Sequence, residues 1–249
     1  MTSSRMAALL DALRKRSALK VISGLNNFDA RSVQIVVRAA QLGGATFVDI
    51  AADTDLIAMT RSLIDLPICV SAVEPQKLAA AVAAGADLVE IGNFDSFYAQ
   101  GREFSANEVK ALTRETRALL PDTMLSVTVP HTLTLDRQAE LAEQLQTLGA
   151  DLIQTEGGTS SQPHSSGAMG AIEKAAPTLA AAYDISRAVS IPVLCASGLS
   201  AVTIGMAIAA GASGVGVGSA VNKLDSEIAA IAQVRSLADA IARAAAVTA

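Results

Sequence analysis

Ile191-Pro192-Val193-Leu194-Cys195-Ala196-Ser197-Gly198 and Gly211-Ala212-Ser213-Gly214-Val215-Gly216-Val217-Gly218-Ser219, one short helical segment apart, decide the fold. Each is a brief apolar run that closes on a glycine beside a serine. Runs of this length, joined by a helix-sized segment, read as consecutive strands of a parallel sheet buried on both faces. The same unit recurs toward the N-terminus. Strand-like runs fall at Leu19–Ser23, Thr46–Ile50, Ile68–Ala72, Leu88–Ile91, Met124–Val129, Leu152–Thr155, Val193–Ala196 and Gly214–Val217. Helical patterns lie between and after them, at Ala30–Leu42, Thr54–Leu66, Pro75–Ala84, Ser105–Leu120, Thr134–Leu148, Thr178–Val189, Ala201–Ala210 and Asp225–Ala245. Strict alternation predicts an α/β protein, a (β/α)8 TIM barrel, with an open doubly wound sheet as the alternative. The 249 residues match one such domain spanning 1–249, since barrels typically run to about 250 residues. Leu9, Leu10 and Leu13 share helical spacing, so the N-terminus reads as a helix capping the bottom of the barrel.

Composition narrows the function classes. Lys and Arg number 19 against 24 Asp and Glu, with no basic stripe, so a nucleic-acid partner is not expected. The longest apolar stretch, Ala201 to Val217, is broken by glycines and does not read as a membrane span. Cys69 and Cys195 sit in apolar strand runs and read as core thiols in a reducing compartment. Ser and Arg near the N-terminus imitate a transit peptide, but Asp11 and the leucine spacing favour a structured helix in a soluble intracellular protein. Oligomeric state is open, with a homo-oligomer among the options.

An internal repeat supports the barrel. Leu66-Pro67-Ile68-Cys69-Val70 through Gly85-Ala86 resembles Ile191-Pro192-Val193-Leu194-Cys195 through Gly211-Ala212, and Gly44-Ala45 is echoed by Gly149-Ala150. A half-barrel duplication with one insertion, Gly157 to Pro177 after strand six, accounts for both offsets. The start of that insertion, Gly157 to Gly167, is small and polar and reads as a long loop able to close over a ligand.

In a TIM barrel the C-terminal ends of the strands carry the chemistry. Asp49 and Glu90 are carboxylates inside apolar strands, a costly placement unless paired or functional. They are acid/base candidates, or partners of Lys20, itself an unusual charge on strand one and the one lysine placed for imine chemistry. His131 and Glu156 follow strands five and six as supporting catalytic candidates. Asn26, Ser71 and Asn93 are candidate substrate contacts. Ser197, Gly198, Gly218 and Ser219 form a corner where glycine backbone admits an oxyanion to main-chain N–H groups, the usual phosphate site of this barrel. The first-half counterparts carry Glu74 and Asp95, which repel anions. No metal-ligand spacing is visible, so no metal site is read, although Mg2+ held by Glu90 or Glu156 with a substrate phosphate stays open. No cofactor is fixed; FMN suits the same corner through its phosphate.

Val21 to Phe28, Gly44 to Asp53, Cys69 to Pro75, Glu90 to Asp95 and Pro192 to Ser200 together resemble one family over nearly the whole chain, the hypothetical chloroplast reading frame twenty-three group of cyanobacteria and algal plastids. The resemblance implies a barrel in a cyanobacterial cytoplasm or a plastid stroma and implies no activity. The Ser197-Gly198 and Gly218-Ser219 corner is similar, at fold level, to ribulose-phosphate-binding barrels and FMN-dependent barrels. Three readings follow. The first is an isomerase- or lyase-type enzyme acting on a small phosphorylated metabolite. The second is an FMN-dependent oxidoreductase. The third is a non-catalytic metabolite-binding or scaffold protein of photosynthetic cells.

Overall fold

The computed structural model describes residues 4–157 and 161–248. Gly158, Thr159 and Ser160 of the expected loop lie outside the described residues. The chain runs α1 (Ser4–Arg14), β1 (Ala18–Ile22), α2 (Ala30–Gly43), β2 (Phe47–Ala51), α3 (Thr54–Leu63), β3 (Ile68–Ala72), α4 (Pro75–Ala83), β4 (Leu88–Ile91), α5 (Asp95–Tyr98), α6 (Ala106–Leu119), β5 (Met124–Thr128), α7 (Leu135–Thr147), β6 (Leu152–Gln154), α8 (Gly167–Ala188), β7 (Val193–Ala196), α9 (Ile204–Ala209), β8 (Gly214–Val217), α10 (Ser219–Asn222) and α11 (Glu227–Thr248). Each strand pairs in parallel with the next, and β8 closes onto β1, as in a TIM barrel. Local chemistry sets the helix starts. Asp29 and Asp53 accept main-chain N–H bonds at the first turns of α2 and α3, and Ser105 does so for α6. No helix of the described residues is long and apolar enough to cross a membrane.

The strand alternation that buries both faces also sorts the barrel interior into levels. At the bottom, Ala18, Phe47, Cys69, Leu88, Leu152 and Leu194 form an apolar cluster sealed by Leu9 and Leu13 of α1. The expected capping helix is therefore a plug. Burying each of its two leucines is worth roughly 1.5–3 kcal/mol. Two residues further along the strands the inward positions become polar: Lys20, Asp49, Ser71, Glu90, Ser126 and Gln154, all buried. On β7 and β8 the same level holds only Ala196 and Gly216. A Cβ on Gly216 would sit 2.9 Å from the Ala196 Cβ, so the long Lys20 side chain fills the barrel where its neighbours are smallest. The outward positions pack against the helical shell in two clusters.

The repeated sequence segments fall on β3–α4 and β7–α9, four strands apart, and the repeated Gly-Ala pairs precede β2 and β6, again four apart. One expectation changes. The insertion after β6 is not irregular as far as Pro177, because α8 begins at Gly167 and carries Pro177 within it. An interior proline costs a helix about 3 kcal/mol. Two anchors beside it offset that cost. Ala175 and Thr178 are fully buried, and the Thr178 hydroxyl lies 2.6 Å from that of Thr155. The loop then folds back on the helix, with His164 N, Ser165 N and Ser165 Oγ all donating to the Glu173 carboxylate.

Candidate active site

The polar level of the barrel is one connected network. Lys20 Nζ donates to Glu90 Oε2 at 2.8 Å and to Gln154 Oε1 at 3.0 Å, and lies 3.2 Å from Asp49 Oδ2. Lys20 thus makes two hydrogen bonds and a second ion-pair contact inside the barrel. Glu90 also accepts from Ser126 Oγ at 2.7 Å and Gln154 Nε2 at 2.8 Å. Asp49 accepts from Ser71 Oγ at 2.6 Å and Asn93 Nδ2 at 3.0 Å. Burial alone would pull the Lys20 pKa down, but the charges of Asp49 and Glu90 overcome it and hold it above its ordinary value. Burial, with the charge of Asp49, pushes the Glu90 carboxyl up against the opposing pull of Lys20. A buried lysine paired with two carboxylates and held above its ordinary pKa does not suit imine formation, which needs a neutral amine.

Above this network, at the C-terminal ends of the strands, lies a cleft of about 640 Å³. One wall is the β7/β8 corner: Ser197, Gly198, Gly218, Ser219 and Ala220, with Lys174 from α8 and Lys223 beyond α10. Ser197 and Gly198 both adopt positive φ, 83° and 71°. A serine held in that region carries strain of the kind stored at ligand sites. A Cβ on Gly198 would meet the Lys174 carbonyl oxygen at 2.8 Å, so glycine is required where the loop passes α8. Asn222 Nδ2 ties the corner to β1 through the carbonyls of Ile22 and Ser23, at 3.2 and 3.1 Å. Among the described residues the main-chain N–H groups of Gly198, Ser219 and Ala220 have no acceptor, and neither lysine ammonium has a carboxylate partner.

The other wall is acidic. Asp95 and Glu156 line it, with Asn93 and Ser96. Glu156 Oε1 accepts from the Asp95 main-chain N–H at 3.1 Å. Its Oε2 accepts from Tyr98 Oη at 2.8 Å and faces His131 Nδ1 at 3.0 Å. The Tyr98 ring meets the His131 ring edge-on at 4.8 Å between centroids. The hydrogen bond to Glu156 raises the His131 pKa above its usual value against the opposing effect of burial.

Residues 3–247 match the family described as "Protein of unknown function (DUF561)". The chain belongs to this family. Members carrying the name "Uncharacterized protein ycf23" are similar at full-domain scale. The Cyanophora paradoxa protein is 47% identical over 193 residues, 76% of this chain and 77% of that protein. The Porphyra purpurea protein is 42% identical over 200 residues, 80% and 74% of the two chains. Among solved structures, thiamine phosphate pyrophosphorylase from Pyrococcus furiosus superposes with a TM-score of 0.61 at 20% identity, covering 93% of this chain and 98% of its own. 3-Hexulose-6-phosphate synthase gives 0.62 at 16% identity, covering 90% and 99%. At such identities the likeness shows the fold alone.

Within this DUF561 barrel the candidate residues separate by depth. Ser197, Gly198, Gly218, Ser219, Asn26, Asn93 and Glu156 line the cleft. Asp49, Glu90, Ser71 and Lys20 lie beneath it, buried, and reach it through Asn93 and Gln154. His131 stands behind Glu156. Three contributors escape sequence reading. Lys174 falls in a segment read as irregular, Asn222 acts through a backbone contact about 200 positions away in sequence, and Tyr98 reaches Glu156 from a four-residue helix. No pattern in the sequence announces any of the three.

Proposed function

We propose that this protein is an enzyme that binds a small phosphorylated metabolite and carries out isomerase- or lyase-type chemistry on it. The observation that carries the reading is the β7/β8 corner, where the Gly198, Ser219 and Ala220 N–H groups and the Lys174 and Lys223 ammonium groups have no acceptor or carboxylate partner among the described residues. Hydrogen bonds to a charged group are worth about 1.5–3 kcal/mol each, so three N–H donors and two ammonium groups lining one corner favour a phosphate strongly. The Ser197 and Ser219 hydroxyls add donors. With its phosphate there, a ligand crossing the cleft places its other end against Asp95 and Glu156, and His131 behind Glu156 supports proton transfer through that carboxylate. Asn26 and Asn93 contact the body of the ligand. The Lys20, Asp49, Glu90 and Ser71 network fixes Asn93 and sets the potential under the cleft floor.

Several fold neighbours are named for phosphate esters, among them 3-hexulose-6-phosphate synthase and orotidine 5'-phosphate decarboxylase, which supports the same ligand class. The family's plastid membership supports a plastid stroma or cyanobacterial cytoplasm as the working compartment. The test is calorimetric titration of the full chain with a panel of sugar phosphates, triose phosphates and FMN. Saturable binding of at least one phosphate ester, lost for its dephosphorylated form, is expected. Binding restricted to FMN with a yellow holoprotein supports the oxidoreductase reading instead. No binding across the panel contradicts the proposal.

A further inference from the structure

The acidic wall of the cleft brings together three side chains that no sequence spacing links. Asp95, His131 and Glu156 each offer one ligand atom, and these atoms all lie within 4.8 Å of one another. They come from three different strand ends, those of β4, β5 and β6, so the barrel itself assembles them. We propose that Asp95, His131 and Glu156 form a divalent-cation site at the edge of the cleft, which Asp95 and Glu156 line and His131 backs.

Charge supports a cation at this place. The wall presents two carboxylates and one imidazole. Beneath it the buried network contains two carboxylates, Asp49 and Glu90, against a single ammonium, Lys20. The lysines of the cleft stand on the opposite, phosphate-binding wall. The field across the cleft therefore runs from a basic corner to an acidic one, and a divalent ion at the acidic end balances the excess carboxylate.

The ligand set selects the kind of ion. Carboxylates suit Mg2+ and Mn2+, and imidazole suits Zn2+ and other first-row ions. One imidazole with two carboxylates matches a mixed nitrogen and oxygen preference, for which Mn2+ is the direct probe. Three protein ligands leave positions open toward the cleft, as a site that works on a substrate requires. The ligands are also held from behind. The Asp95 main-chain N–H and the Tyr98 hydroxyl both bond Glu156, and the Tyr98 ring packs against His131. Partners of this kind fix the orientation of metal ligands. His131 Nδ1 and Glu156 Oε2 lie 3.0 Å apart, and an ion bound between them would replace their hydrogen bond. Ion binding releases the proton of that bond.

The inference deepens the proposed reaction, on whose reading its catalytic role rests: the acidic wall acts through a bound cation rather than a bare carboxylate. Its test contains no phosphate, so the two readings fail separately. Full-length protein, stripped with chelator and desalted, is titrated with Mn2+ and, in parallel, Mg2+ and Zn2+ by calorimetry. Pulsed electron paramagnetic resonance then reads nitrogen hyperfine modulation on bound Mn2+. One Mn2+ per chain is expected, with nitrogen modulation that disappears in His131→Gln. Asp95→Asn and His131→Gln each weaken binding by at least about tenfold, and Tyr98→Phe by about the 10–100-fold typical of outer-shell partners. Because Asp95, Tyr98 and His131 are partly exposed and lie on loops or a short helix outside the strands, circular dichroism of their variants is expected to match the parent. Should Glu156→Gln fail to fold, the Asp95 and His131 variants carry the test. Absence of saturable Mn2+ binding overturns the proposal, as does binding without nitrogen modulation or binding indifferent to both Asp95→Asn and His131→Gln.

Discussion

Lys20 Nζ stands 2.8 Å from Glu90 Oε2 at the centre of the barrel, and neither side chain has measurable solvent exposure. Asp49 completes the group at 3.2 Å. Removing one partner of a buried ion pair leaves charge without compensation and costs about 3–5 kcal/mol. Lys20→Met is therefore expected to lose that much in urea unfolding, a large part of a domain's total stability of about 5–15 kcal/mol. The triple variant Lys20→Met, Asp49→Asn, Glu90→Gln removes the charges together and should recover most of the loss. A triple variant no more stable than Lys20→Met alone would show that the charges are not what the lysine compensates.

The fate of these three residues shows how far the sequence could be read. Eight strand–helix units, the plugging helix and the half-barrel repeat were legible because periodicity and Gly-Ala punctuation are local. So was the oddity of Asp49, Glu90 and Lys20 inside apolar strands. The pairing of the two carboxylates with Lys20 was legible as one of two readings; that Ser71, Ser126 and Gln154 share the same level was not, because alternation along a strand says inward or outward but not which inward side chains meet around a closed barrel. The Ser197 and Gly218 corner was legible from its glycines. His131 and Glu156 were legible as polar residues past strand ends, but their meeting with Asp95 was hidden, since the three lie on separate strand-end loops. Pro177 misled for a physical reason: buried Ala175 and Thr178 hold the helix through a residue that normally ends one.

The His131–Glu156 contact makes stability depend on pH. The folded-state pKa of His131 is raised, first by its hydrogen bond to Glu156 and then by the charges of Glu156, Asp95 and Glu103, against the lowering effect of burial. A raised imidazole stabilises the fold fully below its unfolded value of about 6.5. That contribution disappears as pH rises through the folded value. In chelator, the Tm of the parent is expected to fall as pH rises above about 6.5, and His131→Gln should flatten that slope. Parallel slopes in the two proteins would place the titrating group elsewhere.

Both thiols should be inert in the native state. Cys69 and Cys195 are fully buried, and burial pushes Cys195 up to about 11 and Cys69 well above its ordinary value. The thiolate is the reactive form. Ellman's reagent is expected to find no rapidly reacting thiol in folded protein and both cysteines in denaturant. Fast modification of either in folded protein would mean that the strand bearing it opens readily.

Gly198→Ala tests the corner by sterics alone. The new methyl would lie 2.8 Å from the Lys174 carbonyl oxygen, at a φ of 71° that alanine disfavours. Strain at such a position costs about 1–3 kcal/mol. The loop relieves it by moving, which displaces the N–H groups aimed at the ligand. Affinity for the best phosphate ester is expected to fall at least about tenfold, the equivalent of 1.4 kcal/mol. Lys223→Ala should weaken binding less and reduce its salt dependence. Unchanged affinity in Gly198→Ala would move the phosphate away from this loop.

The central claim is that the phosphate of a small metabolite sits at the β7/β8 corner, and amide NMR on isotopically labelled protein tests it most directly. Titration with the tightest-binding phosphate ester of the panel is predicted to move the amide resonances of Gly198, Ser219 and Ala220 first and furthest, with lesser shifts at Asn93 and Asp95 across the cleft. Saturating shifts confined to other surfaces, with those three amides unmoved, would contradict the account.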